Sequence, residues 1–160
     1  MIKKPIKRGR CTTALSLHHR SDLLFCQRIK EGLAKNVDAL RIRSYINFFW
    51  EHHLSEHFQE EEALLFNRLN DAFTRQAKQE HAMLTKSVMQ LNYGTAENLQ
   101  GLSFFAKLMI KHIRFEENVL FPHLEKELPV SMLEAVGAYL EQRNPEPFEM
   151  DYPDKFWEDQ

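Results

Sequence analysis

Histidine is where this sequence concentrates its chemistry. Eight occur, and five of them fall in two short stretches, at positions 18, 19, 52, 53 and 57. His57 opens the run HFQEEEALLFNRL, residues 57 to 69, and His112 opens HIRFEENVLFPHL, residues 112 to 124. The runs match at His, at two adjacent Glu, and at Leu, Phe and the final Leu. In each, a glutamate follows the histidine by four residues, which on a helix puts both side chains on one face, about 6 Å apart along the axis. His57 then pairs with Glu61, and His112 with Glu116. An imidazole nitrogen and a carboxylate so placed can bind one ion, or the carboxylate can bridge two ions while the histidine caps one of them. A lone H-x-x-x-E is common by chance on helix surfaces. Its repetition, with Leu65, Phe66, Leu120 and Phe121 continuing each copy, indicates that both faces enter the core. A buried glutamate without a partner costs several kcal/mol or stays protonated, so a cation is its natural companion. Iron, zinc and manganese all suit such donors.

With these motifs the sequence resembles the hemerythrin family, in its HHE cation-binding branch, over roughly residues 14 to 126. The matching pieces are LSLHHRSDLL, HFQEEEALLF, QEHAML and HIRFEENVLFP. The resemblance implies an up-down four-helix bundle and the ligands His19, His57, Glu61, His81, His112 and Glu116. It implies two non-haem iron ions, oxo- or hydroxo-bridged, with Glu61 and Glu116 bridging, His19 and His57 on one iron, and His81 and His112 on the other. The small ligands implied are oxygen, nitric oxide or peroxide. The oxygen-carrying members place two histidines four apart on the third helix, whereas the corresponding neighbours of His81 are Ala77 and Thr85. Helix four also has its glutamate at four residues in place of the carriers' aspartate at five. An open position at the His81 iron, and a role in sensing, storage or redox chemistry in place of oxygen transport, are the resulting expectations. Glu80 and His53 are the residues that could fill that position. The alternative is a metal-stabilised regulatory or interaction module without turnover. No residue is assigned a catalytic role; if the protein turns over, its chemistry is that of a di-iron oxidoreductase.

The other histidines are read more plainly. His18 and His19 adjoin, so only one is expected to point inward, and His19 fits because Leu15 and Leu23 lie a turn to either side of it. His53 shares the face of His57 as a surplus ligand or supporting donor, or else as a core or solvated histidine. His52 reads as surface, and His123 lies about 10 Å along the axis from Glu116, too far for one metal shell. Glu60, Glu62 and Glu117 read as a solvated face. A ferritin-like centre requires Glu-x-x-His on two helices, and no histidine here has a glutamate three residues before it.

These residues need long helices to hold them, and the apolar spacing supplies four. The first runs from Ala14 to Leu33 with Gly32 near its end. The second is capped by Asn36 and Asp38 and extends to about residue 69. The third is capped by Asn70 and Asp71 and stops at Asn92-Tyr93-Gly94. The fourth is capped by Thr95 and runs through Leu124, with a kink or break at Pro122. A short fifth helix covers Pro129 to about Gln142. The rest, with Pro145, Pro147 and Pro153, is irregular but carries Phe148, Tyr152, Phe156 and Trp157 for packing. Residues 1–12 form a basic flexible tail, 13–128 the all-α bundle, and 129–160 the short helix and tail.

Composition sets the outer bounds. The 160 residues make one domain with an ordinary core, 43% hydrophobic and 28% charged, with only 5 Gly. A formal net charge of −2 selects no partner, so no nucleic acid is expected. Without an apolar run of about 18 residues, neither membrane span nor secretory signal is read, and a cytoplasmic location follows by default. Cys11 and Cys26 lack the spacing of a zinc or redox motif and are taken as free structural thiols.

Overall fold

A computed structural model describes residues 9–93, 98–143 and 151–158. All regular structure among them is helical. The elements are α1 (Arg10–Ala34), α2 (Ala39–Phe49), α3 (Ser55–Leu64), α4 (Ala72–Tyr93), α5 (Leu99–Phe115), α6 (Phe121–Glu127) and α7 (Val130–Arg143). A π-helical turn, Trp50–Leu54, joins α2 to α3 in one rod, and another, Glu116–Leu120, joins α5 to α6. With α1 and α4 these make four rods of a helical bundle: α1 lies on α5 and α7, and α4 on α5 and α2.

Several boundaries differ from expectation for identifiable reasons. α1 starts at Arg10, ahead of Ala14, because Cys11 and Thr12 are already buried. Residues 1–8 of the expected tail lie outside the described residues. Gly32 does not stop the helix: a Cβ there would come 2.7 Å from Phe156 Cε2, so the missing side chain makes room for the C-terminal segment. The turn comes four residues later, where Asn36 takes φ 55°, a left-handed conformation that asparagine tolerates. Asp38 alone caps α2, accepting from the Leu40 N–H at 2.9 Å. The second rod ends at Leu64, short of residue 69, and a 3₁₀ turn, Phe66–Arg68, leads out of it. Asp71 caps α4 through Thr74 N at 2.9 Å, as read. Asn98 caps α5 through Gly101 N at 2.8 Å, and Thr95 lies outside the described residues. Pro122 ends nothing: it sits in the first turn of α6, directly after the π turn, where its missing N–H is tolerated.

The C-terminal segment packs as the aromatic residues require. Tyr152, Phe156 and Trp157 surround Tyr45 with ring centroids 5.0 to 5.3 Å away, and Phe156 is 1% exposed. Phe148 lies outside the described residues.

The apolar core falls into two clusters. One contains Phe25, Ile29, Ile46, Phe49, Leu84, Val88, Phe105 and Met109; the other contains Cys11, Leu15, Phe66, Ala77, Leu120, Phe121 and Leu124. All four rods cross from one cluster to the other, and at the crossing each carries histidine and carboxylate in place of apolar residues. That polar layer is the candidate site.

Candidate metal centre

Each rod brings one of the histidines read as ligands to the layer. His19, His57, His81 and His112 are all at most 4% exposed, Glu61 is 1% exposed and Glu116 fully buried. The two carboxylates lie among the four imidazoles. Glu116 has Oε2 2.9 Å from His19 Nε2 and Oε1 2.8 Å from His112 Nε2. Glu61 Oε1 is 3.4 Å from His57 Nε2 and 3.6 Å from His81 Nε2. Each carboxylate thus stands between a histidine of the His19/His57 pair and one of the His81/His112 pair. Donor atoms of Glu61, His81, His112 and Glu116 lie within 4.8 Å of one another, and those of His19, Asp22 and His57 form a second such group. Two bonds of the usual metal–nitrogen length span at most about 4.2 Å, so either group is within a small side-chain movement of surrounding one ion.

The polar atoms of this layer are poorly served by the protein alone. Despite the short distances, both oxygens of Glu61 and of Glu116 and the Nε2 atoms of His57, His81 and His112 lack an aligned hydrogen-bond partner. Buried polar groups are nearly always satisfied, and each exception calls for a cause. A cation among these atoms supplies one, and the donor set, imidazole with carboxylate, fits a first-row transition metal.

The outward nitrogens, in contrast, are engaged. His19 Nδ1 donates to Glu117 Oε1 at 2.6 Å, His112 Nδ1 to Glu80 Oε1 at 2.9 Å, and His81 Nδ1 to Glu62 Oε1 at 3.3 Å. Such a bond fixes the ring and its tautomer, leaving Nε2 basic and aimed inward. Glu62 and Glu117 are therefore not merely a solvated face, as their neighbours in sequence had implied; they are half-buried and hold the rings. Glu60 pairs with Arg143 Nε at 2.5 Å. Glu80 is occupied with His112, and Thr85 Oγ1 donates to the His81 carbonyl at 2.8 Å. Phe121 stacks on His19 and Phe58 on His81, centroids 5.4 and 4.0 Å apart, which keeps water from those faces.

Charge within the layer is distributed unevenly. Burial would raise the Glu116 carboxyl, but His112, His19 and His81 outweigh it and hold the group well below the usual carboxylate range. Burial and the negative charge of Glu116 push Glu61 up to about 8. Against burial, Glu116 and Glu80 raise His112 to about 9, and carboxylate neighbours likewise hold His19 and His81 well above the ordinary imidazole value. His57 goes the other way, lowered by burial and then by His53, His18 and His19.

Around His18 the structure departs from the sequence reading. His18 and His19 are both buried, at 6% and 4% exposed, because α1 packs against more than one neighbour and its inward face spans both positions. The stripe continues to Asp22 in place of Leu23, which is 43% exposed. Asp22 is wholly buried and accepts from His53 Nε2 at 2.9 Å. It escaped the sequence reading because an aspartate counts as surface. The available signal was its register, three residues after His19 and seven after Leu15. His53 is a core histidine. His123 pairs with Asp71 at 2.6 Å, away from the layer, and the exposed His52 ring lies tilted against Phe48, centroids 4.3 Å apart.

The family comparison agrees with this arrangement. The Hemerythrin HHE cation binding domain matches residues 12–124, and the chain belongs to that family. No curated protein and no solved structure gives a match. No described helix is long and apolar enough to cross a membrane.

Proposed function

We propose that this member of the hemerythrin HHE cation-binding family holds two iron ions in the polar layer of an up-down four-helix bundle. We further propose that it presents them to oxygen or a related small oxidant in sensing, storage or redox chemistry. The observation that carries the reading is the set of buried inward atoms of Glu61, Glu116, His57, His81 and His112 that lack aligned hydrogen bonds. His19 and His57 serve one ion, His81 and His112 the other, and Glu61 and Glu116 reach both. Alternation supports the up-down order: α1 and α4 run from the Leu15/Phe121 cluster towards the Phe25/Phe105 cluster, and the other two rods run back. The described part of residues 13–128 carries the centre, and α7 and residues 151–158 brace it from outside.

Bound iron supplies one-electron redox chemistry and coordination of a small diatomic or peroxide. The chain's own residues orient and shield. Glu117, Glu80 and Glu62 fix three imidazoles, and Phe58, Phe66 and Phe121 exclude water. Ala77 is fully buried and has no donor, and the Thr85 hydroxyl is spent on the backbone, so neither supplies a further ligand beside His81. That side of the centre is where a bound ion would have a position left for a small molecule.

The decisive experiment is metal analysis of protein purified without oxygen, followed by its optical spectrum on exposure to air. About two irons per chain and a new near-ultraviolet band on air exposure are expected. Bound metal that ignores oxygen would favour the metal-stabilised regulatory module, and a chain that binds no metal would end the reading.

A further inference from the structure

We infer that Asp22 is an additional metal ligand, serving the ion held by His19 and His57 and making the two halves of the centre chemically unlike. The inference rests on the proposed function and extends it to a residue outside the H-x-x-x-E motifs and the four inward histidines. One oxygen of Asp22 lies within 4.8 Å of a ring nitrogen of His19 and of one of His57, the distances one ion would draw together. The side chain is 0% exposed, and its Oδ2 has no hydrogen-bond partner.

A carboxylate in that setting has to be explained. It sits on the stripe of α1 that elsewhere carries Leu15, Phe25, Cys26 and Ile29, where an apolar side chain would pack without desolvation cost. His53 donates to Oδ1 and fixes the carboxylate plane, leaving Oδ2 for another group. Among the histidines around it, His57 is close to His18 and His53, with centroids 5.2 and 5.6 Å away, and His18 Nδ1 also lacks a partner. The polar region therefore continues past the six expected ligands towards His18 and His53 on the His19/His57 side.

The asymmetry has a chemical direction. The His81/His112 ion has Glu61 and Glu116 as its carboxylates, both shared with the other ion. The His19/His57 ion has those two and Asp22 to itself. An extra hard, anionic oxygen stabilises a higher charge on the metal it touches and tightens that ion's retention. The ion beside Asp22 is the one that loads first and leaves last, and the ion beside His81 is the more exchangeable.

The test is competition titration of wild-type and Asp22→Asn protein with ferrous iron, and separately with cobalt(II), against a chelator, reading metal per chain and the cobalt absorption spectrum. Asp22→Asn keeps the shape and an acceptor for His53 but removes the anionic donor. Affinity for one of the two ions should fall at least 10-fold, the second ion should bind as before, and the cobalt bands should shift. Two ions bound with wild-type affinity and an unchanged cobalt spectrum would overturn the inference while leaving the di-iron reading in place. A wild-type chain that binds no metal would overturn both. Asp22→Glu covers the case in which Asp22→Asn does not fold: it keeps the charge but displaces the oxygen, and an unchanged cobalt spectrum there refutes the ligand role.

Discussion

Exchange of each central carboxylate for its neutral isostere gives a sharp test, because the two are unlike before metal arrives. At pH 7 the metal-free pair holds about one proton, and it resides on Glu61, whose carboxyl is pushed up to about 8, while Glu116 stays ionised among His19, His81 and His112. Glu61→Gln therefore replaces a group that is already mostly neutral, and should change metal-free stability by no more than about 1 kcal/mol. Glu116→Gln removes the counter-charge of buried imidazoles 2.8 and 2.9 Å away, and breaking one side of a buried pair costs roughly 3–5 kcal/mol. For a chain of this size each kcal/mol moves the melting temperature by about 2–4 °C, so Glu116→Gln should melt about 6–20 °C below wild type and Glu61→Gln within about 4 °C. Circular dichroism melts in excess chelator measure both. With metal present the difference should vanish, since either substitution would take an anionic donor from both proposed ions, and metal content should fall further in both variants than in Glu62→Ala, which loses only the bond that holds the His81 ring. Metal-free melting temperatures within 2 °C of each other for the two Gln variants would refute the assignment of charge.

Three further outcomes follow from the same geometry. Folded-state values of about 8 for Glu61 and about 9 for His112 lie above their ordinary 4.5 and 6.5, so the native state holds extra protons; the stability these two groups give the metal-free protein should decline above about pH 4.5 for Glu61 and 6.5 for His112 and be lost by about pH 9. Metal affinity should climb over the same interval because binding displaces those protons, and opposite slopes in chelator melts and metal titrations check the pair. Cys11 and Cys26 are buried and free, with burial pushing the Cys11 thiol up to about 12, so neither should react with iodoacetamide at pH 8 until denaturant is added, as mass spectrometry would show. Gly137→Ala should lower the melting temperature by several degrees despite alanine's helix preference of about 1 kcal/mol, because its Cβ would meet the Cys11 backbone nitrogen at 2.9 Å; an unchanged or raised calorimetric midpoint would contradict the close packing of α7 on α1.

What the sequence disclosed, and what it hid, divides along a physical line. Periodicity disclosed the helices because each rod buries an apolar stripe on either side of the polar layer, and the doubled His-to-Glu spacing singled out Glu61 and Glu116 because a one-turn pair is a local property. Whatever depended on neighbouring chains was hidden. Gly32 looked like a helix end and is a seat for Phe156, more than a hundred residues away. Glu62 and Glu117 looked solvated because nothing local reveals that His81 and His19 lie across from them. Leu23 reads as an inward residue because hydrophobicity is the sequence's guide to burial, and here the buried residue, Asp22, carries the charge. Both π turns were also invisible. Each adds a residue's worth of phase at the polar layer, one just before His57 and one beginning at Glu116, which is where such turns recur in proteins with function to accommodate.

The position of the layer has its own consequence. Had the ligands sat at one end of the bundle, the metal could come and go without disturbing the apolar core. Here Leu15, Phe66, Phe121 and Leu124 lie on one side, and Phe25, Phe49, Phe105 and Met109 on the other, so the layer sits between two clusters that each hold part of every rod. Each of those large side chains stabilises the fold by about 1.5–3 kcal/mol on burial, with or without an ion. What an ion changes is the middle, where atoms now served by misaligned contacts and by the proton on Glu61 gain a partner, and where the register between the clusters becomes fixed. Occupancy of the centre is thereby tied to the stiffness of the whole bundle, including the α1 face on which α7 rests.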